Sequence, residues 1–325
     1  MKFLRFLLLI ILFSATYTGR TQDTLKFRNG TLYIGEVNNL KPHGTGVYLS
    51  PKLDTIYQGQ YFEAKKHGMG KYFFSNGNTY SGDWVDEMME GRGKMKFANG
   101  DSYEGDWKKD RRHGKGIYIY ANGDVYEGEF AEGLRQGTGS FTTENKSYTG
   151  GWQNGLMHGK GHEKITSTDH TETYEGDFFN GKYHGTGSWV HQRDSIITEY
   201  VGLWQDGNRI GQGIYTINGR KFEGVWEENE TSGTGICITE EGTYEGQFRR
   251  GFFNGTGTMR YLNGEVYEGD WVRGRKQGYG KYVYNDKRVY EGEWYMDQEN
   301  GKGTLTQPDG TSAQATFRNG QVVKE

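Results

Sequence analysis

Tyr103-Glu104-Gly105-Asp106-Trp107-Lys108-Lys109-Asp110-Arg111-Arg112-His113-Gly114-Lys115-Gly116-Ile117-Tyr118-Ile119-Tyr120-Ala121-Asn122-Gly123-Asp124 is the stretch from which the fold can be read. In an extended chain successive side chains alternate between faces, so Tyr103, Gly105 and Trp107 share one face. Gly116, Tyr118 and Tyr120 continue the same alternation after the connection. One face of a short hairpin is therefore half aromatic and half glycine. A ring needs a flat surface, and glycines on the next strand supply one while the ring shields their bare backbone. The other face carries Glu104 and Asp106 against Lys115, a pairing of opposite charges across strands.

The unit recurs. Tyr-x-Gly-x-aromatic appears at Tyr57, Tyr80, Tyr103, Tyr126, Tyr148, Tyr174, Tyr200, Tyr244, Tyr267 and Tyr290, with Phe222 in the Tyr place once and Val37 ending the copy at Tyr33. Each of the twelve copies is followed, eleven residues after its first aromatic, by Gly-x-Gly. The period runs from 22 to 26 residues. Asn-Gly pairs at Asn76, Asn99, Asn122, Asn218 and Asn263 mark hairpin turns between copies. Within a copy, the residues between the two strands read as a six-residue edge loop. A long antiparallel meander follows, with stacking between neighbours as its only long-range order. About 26 strands at ~4.8 Å spacing give a contour near 120 Å before twist.

Composition agrees. Gly supplies 53 of 325 residues and Phe, Trp and Tyr together 15%, while there are three Pro and one Cys. A helical protein is excluded by the glycine content, since Gly in a helix interior costs about 1 kcal/mol relative to Ala. Collagen needs a Gly-X-Y period, and a disulfide framework needs more than one Cys. The net charge of −3 becomes −6 without the first 22 residues, which carry three cations and no acid. That balance excludes a nucleic-acid partner.

Residues 1–22 read as a secretory signal, cut between about 15 and 22: Lys2 and Arg5 precede the apolar run Phe6–Phe13, and small residues follow. The run is too short for a membrane-spanning helix. Export to the periplasm, cell surface or extracellular space is expected, without a transmembrane anchor. Residues 23–32 read as an N-terminal capping strand, 33–312 as the twelve repeats, and 313–325 as a degenerate cap in which Ala313, Ala315 and Phe317 take the Tyr, Gly and Trp places.

The pattern resembles the MORN repeat (membrane occupation and recognition nexus) over residues 25–320. The resemblance implies an elongated single-layer antiparallel β-hairpin solenoid. It implies scaffolding, partner binding and, in some members, phospholipid association.

Chemistry-bearing constellations are few. His43, His67, His113, His158 and His184 recur just before the Gly-x-Gly, but equivalent positions lie two strand spacings, roughly 9–10 Å, apart. Zinc ligands must sit far closer, so a turn role is expected. Cys237 occupies an inward place and reads as a small buried hydrophobe. The paired acids recur in almost every copy, so no pair stands out as a catalytic dyad. No enzymatic activity, cofactor, metal or small-molecule substrate is expected. Two features break the monotony. The copies at Tyr148 and Tyr174 carry expansions, Glu163–Thr173 and Val190–Glu199. The edge residues Lys108, Lys109, Arg111, Arg112, Arg249, Arg250, Phe252, Phe253, Arg273, Arg275 and Lys276 form three basic segments, of which the neighbours 249–254 and 272–277 make one patch with Phe252 and Phe253 inside it. Basic plus aromatic suits a partner or an anionic head group. The expected function is a non-catalytic exported scaffold for a protein partner, the alternative being phospholipid or envelope-glycan binding through this edge.

Overall fold

The computed structural model describes residues 23–218 and 220–323, so the expected signal at residues 1–22, Gly219 and residues 324–325 lie outside the described residues. These contain β-strands and no α-helix. Two compact units divide at Ala121 and Asn122. In the first, strands from Asp23–Lys26 to Arg111–Ile119 pair antiparallel, each with the next in chain order. The second repeats that meander from Val125–Ala131 to Gln321–Val322. The all-β hairpin architecture read from the sequence is the observed one.

The Tyr103 hairpin shows why. Tyr103 faces Tyr118, Gly105 faces Gly116 and Trp107 faces Arg112. Tyr103 is fully buried, and its Oη donates to the Asp106 carbonyl at 2.9 Å. The ring lies flat on the facing glycine: a Cβ built on Gly116 would stand 2.5 Å from Tyr103 Cε2. Eleven tyrosines at this place are at most 1% exposed. The Trp closes the gap to the preceding hairpin. Trp107 Nε1 donates to the Gly93 carbonyl at 3.1 Å, and its ring meets Tyr80 and Tyr103 edge-on, both at 5.2 Å. Such aromatic pairs contribute about 0.5–1.5 kcal/mol each beyond their buried area. A sheet one layer thick thus builds its core along one face.

The outward acids do more than pair with cations. Each hairpin's second strand carries a bulge: Gly105 opposes Gly116 but Asp106 opposes His113, so Gly114 and Lys115 have no partner on the Tyr103 strand. Asp106 Oδ2 accepts the orphaned Lys115 N–H at 2.9 Å. Asp83, Asp177, Asp270, Gln60 and Gln247 serve the same bulge in their own hairpins. Ion pairs link neighbouring hairpins as well, among them Lys94–Glu104 and Lys160–Asp177 at 2.8 Å.

The turns differ from the reading. The supposed six-residue loops are two-residue turns with both central residues at positive φ, as at Lys109 (φ 48°) and Asp110 (φ 65°). That is the type I′ geometry, whose twist suits a hairpin. Non-glycine residues hold it because the preceding hairpin ties them down. The Asp110 N–H donates to the Met89 carbonyl at 3.1 Å, while Asp110 Oδ1 accepts the Met89 N–H at 2.8 Å. The second strand therefore begins at Arg111, and the five histidines stand within strands rather than turns. The Asn-Gly connections at Asn76, Asn99 and Asn263 are three-residue turns: the Gly77 N–H donates to the Phe74 carbonyl, and Gly77 takes φ +88°, whereas at Asn218 Ile217 pairs directly with Arg220 across a two-residue connection.

The ends and the expansions follow the meander. Asp23–Lys26 pairs with Leu32–Asn38. At the other end Phe317 is buried against Tyr290 at 5.0 Å, with Ala315 opposite Gly303. The expanded segments are not loops but longer strands, Leu156–Thr166, Thr171–Phe179, Lys182–Arg193 and Ile196–Gln205, paired throughout.

Candidate functional site

The basic edge residues fall into three positions. In the first unit, Lys108 and Arg111 pair across the turn on the outer face, Lys109 sits in the turn, and Arg112 points inward, its guanidinium 4.8 Å from the Tyr118 ring. In the second, Arg249 faces Phe252 and Val272 faces Arg275 on the outer face, with Arg250 and Arg273 in turns. Phe252 is 54% exposed. Lys276 and Phe253 belong to the inner face. Lys276 Nζ lies 4.6 Å from both Tyr282 and Trp294, and burial lowers its pKa. Phe253 stacks on Tyr244 at 3.8 Å. The two-residue turn explains this: the second strand begins early enough to bring Arg112, Lys276 and Phe253 opposite the Trp or Phe, facing in. The exposed basic group of the second unit is therefore Arg249, Arg250, Arg273 and Arg275.

Histidines flank phenylalanines on the outer face. The Phe62 ring lies 5.4 Å from His43 and 5.8 Å from His67, and Phe179 sits likewise between His158 and His184. An apolar ring thus occupies the space between successive imidazoles. Among the described residues no three possible metal ligands converge.

The longer hairpins gather polar groups that the sequence reading left unnamed. Ser167 Oγ and Asp169 Oδ1 both meet Nδ1 of His170, at 2.7 and 2.8 Å. A Ser-His-Asp relay needs the two groups on opposite ring nitrogens, so this is a turn clasp. Inside, Glu163 takes a place that Met or Tyr fills elsewhere. Tyr183 donates to it at 2.7 Å and Lys146 pairs with it at 2.5 Å.

The outer face of the second unit carries an apolar patch. Val201 faces Ile214 across the strands, Gln212 faces Val225, and Ile236 stands beside Glu223. Leu203 and Val225 replace the acid that serves the bulge in other hairpins, so no side chain caps it there. Val201 is 53% exposed, Ile236 42% and Leu203 38%. A groove of about 820 Å³ adjoins the patch, lined by Lys160, His162, Thr186, Ser188, Val201 and Leu203.

The MORN-repeat family model matches eleven segments: 33–55, 57–79, 80–102, 103–125, 126–147, 148–167, 174–191, 200–218, 244–266, 267–287 and 290–312. Together they cover most of the chain. The protein belongs to the MORN-repeat family. No curated protein matches it. MORN-repeat proteins are generally non-enzymatic binding scaffolds. The twelfth copy of the sequence reading, from Phe222, is not among the matched segments, yet it folds as the MORN hairpin Arg220–Glu227 and Glu230–Ile238.

That repeat is also where the inner face is hollow. Two inward places, opposite the Trp and two residues after the Gly-x-Gly, hold Arg209 and Tyr215 in the preceding MORN repeat and Phe253 and Met259 in the following one. Here they hold Thr231 and Cys237. Two small residues coincide and leave about 510 Å³, bounded by Arg209, Phe222, Trp226, Phe248 and Phe253. Burial pushes the Cys237 thiol pKa up, away from a reactive thiolate. Cys237 faces inward but is only half-buried, where the sequence reading had it buried, because the hollow leaves it uncovered. The hollow escaped because the Thr231 place had been assigned to an edge loop.

Proposed function

We propose that this MORN-repeat protein is a non-catalytic scaffold, exported from the cytoplasm, that presents the outer face of its second unit to a protein partner. The observation that carries the reading is the patch Val201, Leu203, Ile214, Val225 and Ile236. Equivalent places elsewhere hold charges such as Glu127 and Glu129, or Glu268 and Asp270. Exposed apolar side chains beside a groove, on a face otherwise kept charged, are what a docking surface requires. Such side chains gain roughly 25 cal/mol per Å² on being covered.

Co-purification from the source organism tests it. The wild-type chain should retain one protein, and Val201→Asp with Ile236→Asp should lose it at an unchanged melting temperature. Neutralising Arg249, Arg250, Arg273 and Arg275 should leave it in place. Binding to phosphatidylglycerol vesicles or cell-wall glycan that disappears on that neutralisation, with no protein retained, would instead establish the basic edge as the working surface. Export rests on the composition of residues 1–22. The N-terminus of the mature protein should fall after about residue 15, and one still beginning MKFLRF would refute it.

A further inference from the structure

We infer that the hollow in the Phe222 repeat is a binding site for a small aromatic acid: a flat ring carrying a carboxylate. The volume of about 510 Å³ lies within the range of small-molecule pockets. Three observations fix the chemistry.

The first is a missing ring. In two other repeats of the second unit, the residue opposite the aromatic at the strand end stacks flat on that repeat's tyrosine. Tyr183 lies on Tyr174 at 3.7 Å and 8°, and Phe253 on Tyr244 at 3.8 Å and 10°. The equivalent residue over Phe222 is Thr231, which has no ring to offer. The edges of the flanking aromatics remain: Phe248 meets Phe222 at 4.6 Å and 78°, and Trp226 meets it at 5.6 Å and 81°. An incoming ring can stack on Phe222 as Tyr183 does on Tyr174, with edges already in place around it.

The second is an orphaned hydroxyl. Thr231 lines the hollow and is 9% exposed, and its buried Oγ1 has no hydrogen-bond partner among the described residues. A buried hydroxyl left unpaired costs about 1–3 kcal/mol, a cost that a polar atom on a ligand would remove.

The third is the charge. Arg220 pairs with Glu240, Arg250 approaches Glu230 at 3.8 Å and Lys221 pairs with Glu223 at 2.7 Å. Among the described residues Arg209 has no carboxylate partner. Its guanidinium sits 4.6 Å from the Trp226 ring and donates to Asn229, whose acceptors are neutral. A half-buried cation among rings, hydrogen-bonded through its side chain only to neutral oxygens among the described residues, is a place for an anion.

Isothermal titration of the full chain with 2-naphthoate tests the site. The expected dissociation constant is about 1 mM or tighter. The neutral analogue 2-naphthalenemethanol should bind at least about tenfold more weakly, and so should 2-naphthoate to Arg209→Gln, a difference of about 1.4 kcal/mol. Two filling variants copy residues that other repeats carry. Cys237→Tyr copies Tyr215, and Thr231→Phe copies Phe253. Each should abolish binding without lowering the melting temperature, which separates a filled site from an unfolded one. Absence of binding at about 10 mM, equal affinity for the neutral analogue, or undiminished binding to both folded filling variants would overturn the proposal. The outer-face reading does not depend on this result.

Discussion

At Gly105 the absence of a side chain is a steric requirement. A Cβ there would lie 2.5 Å from Gly116 Cα and 2.5 Å from Tyr103 Oη. Backbone on one side and a buried, hydrogen-bonded ring on the other leave nothing free to move. Gly105→Val should therefore lower stability by about 1–3 kcal/mol, the usual cost of overpacking, although Val is the better strand former. Glu104→Val is the control. Glu104 is exposed and paired only with Lys94, an arrangement worth about 0–1 kcal/mol, so denaturant melts should place this variant near wild type. A Gly105→Val melt at or above wild type would refute the ring-on-glycine account. Asp106 offers a second residue-scale test. Its carboxylate accepts the bulge N–H of Lys115, so Asp106→Leu should cost about 1 kcal/mol. Leu203 shows that the fold survives without the acceptor, which predicts a folded variant with a lower midpoint.

At the scale of the hairpin, the Phe222 repeat packs its inner face loosely. Its first aromatic has no hydroxyl to donate to the Val225 carbonyl, its two inward places are small, and a Cβ on Gly235 would stand 3.1 Å from the Phe222 ring instead of about 2.5 Å. Few buried contacts mean a low cost of local opening. Amide exchange should be faster in Arg220–Glu227 and Glu230–Ile238 than in the hairpins on either side, and Phe222→Tyr should slow it. Uniform protection across these strands would contradict the packing argument. This hairpin also shows what the sequence could reveal. Strand pairing and the aromatic-on-glycine face were legible because side-chain alternation and the Gly-x-Gly offset follow directly from backbone geometry. The turns were not. Lys109-Asp110 and Glu228-Asn229 contain no glycine, and what holds them at positive φ is hydrogen bonding to the preceding hairpin, a contact between repeats. Shortening those turns moved Arg112, Thr231, Phe253 and Lys276 from the edge to the inner face. The hollow became visible only with that change.

Across the whole molecule, the core is built from phenols, and that sets an upper pH for the fold. Burial pushes Tyr33, Tyr148, Tyr200, Tyr244 and Tyr290 up to about 12, and raises Tyr57, Tyr80, Tyr103, Tyr174 and Tyr267 further. In the unfolded chain each ionises near 10. A folded pKa above the unfolded one means that the native state holds its proton longer. Its contribution to stability is complete below about pH 10 and is lost as pH rises through the folded value. Lys276 and Arg209 work in the opposite sense, because burial lowers their pKa, but they are two groups against ten. The melting temperature should therefore be flat from about pH 8 to 9.5 and fall steeply between about pH 10 and 12. Absorbance at a tyrosinate wavelength should rise in two stages, the exposed phenols first and the buried ones only with the loss of β-sheet circular dichroism. A melting temperature that holds through pH 11, or buried tyrosines that ionise while the sheet persists, would show that the hydroxyls bonded to the backbone inside each hairpin are not what the fold depends on.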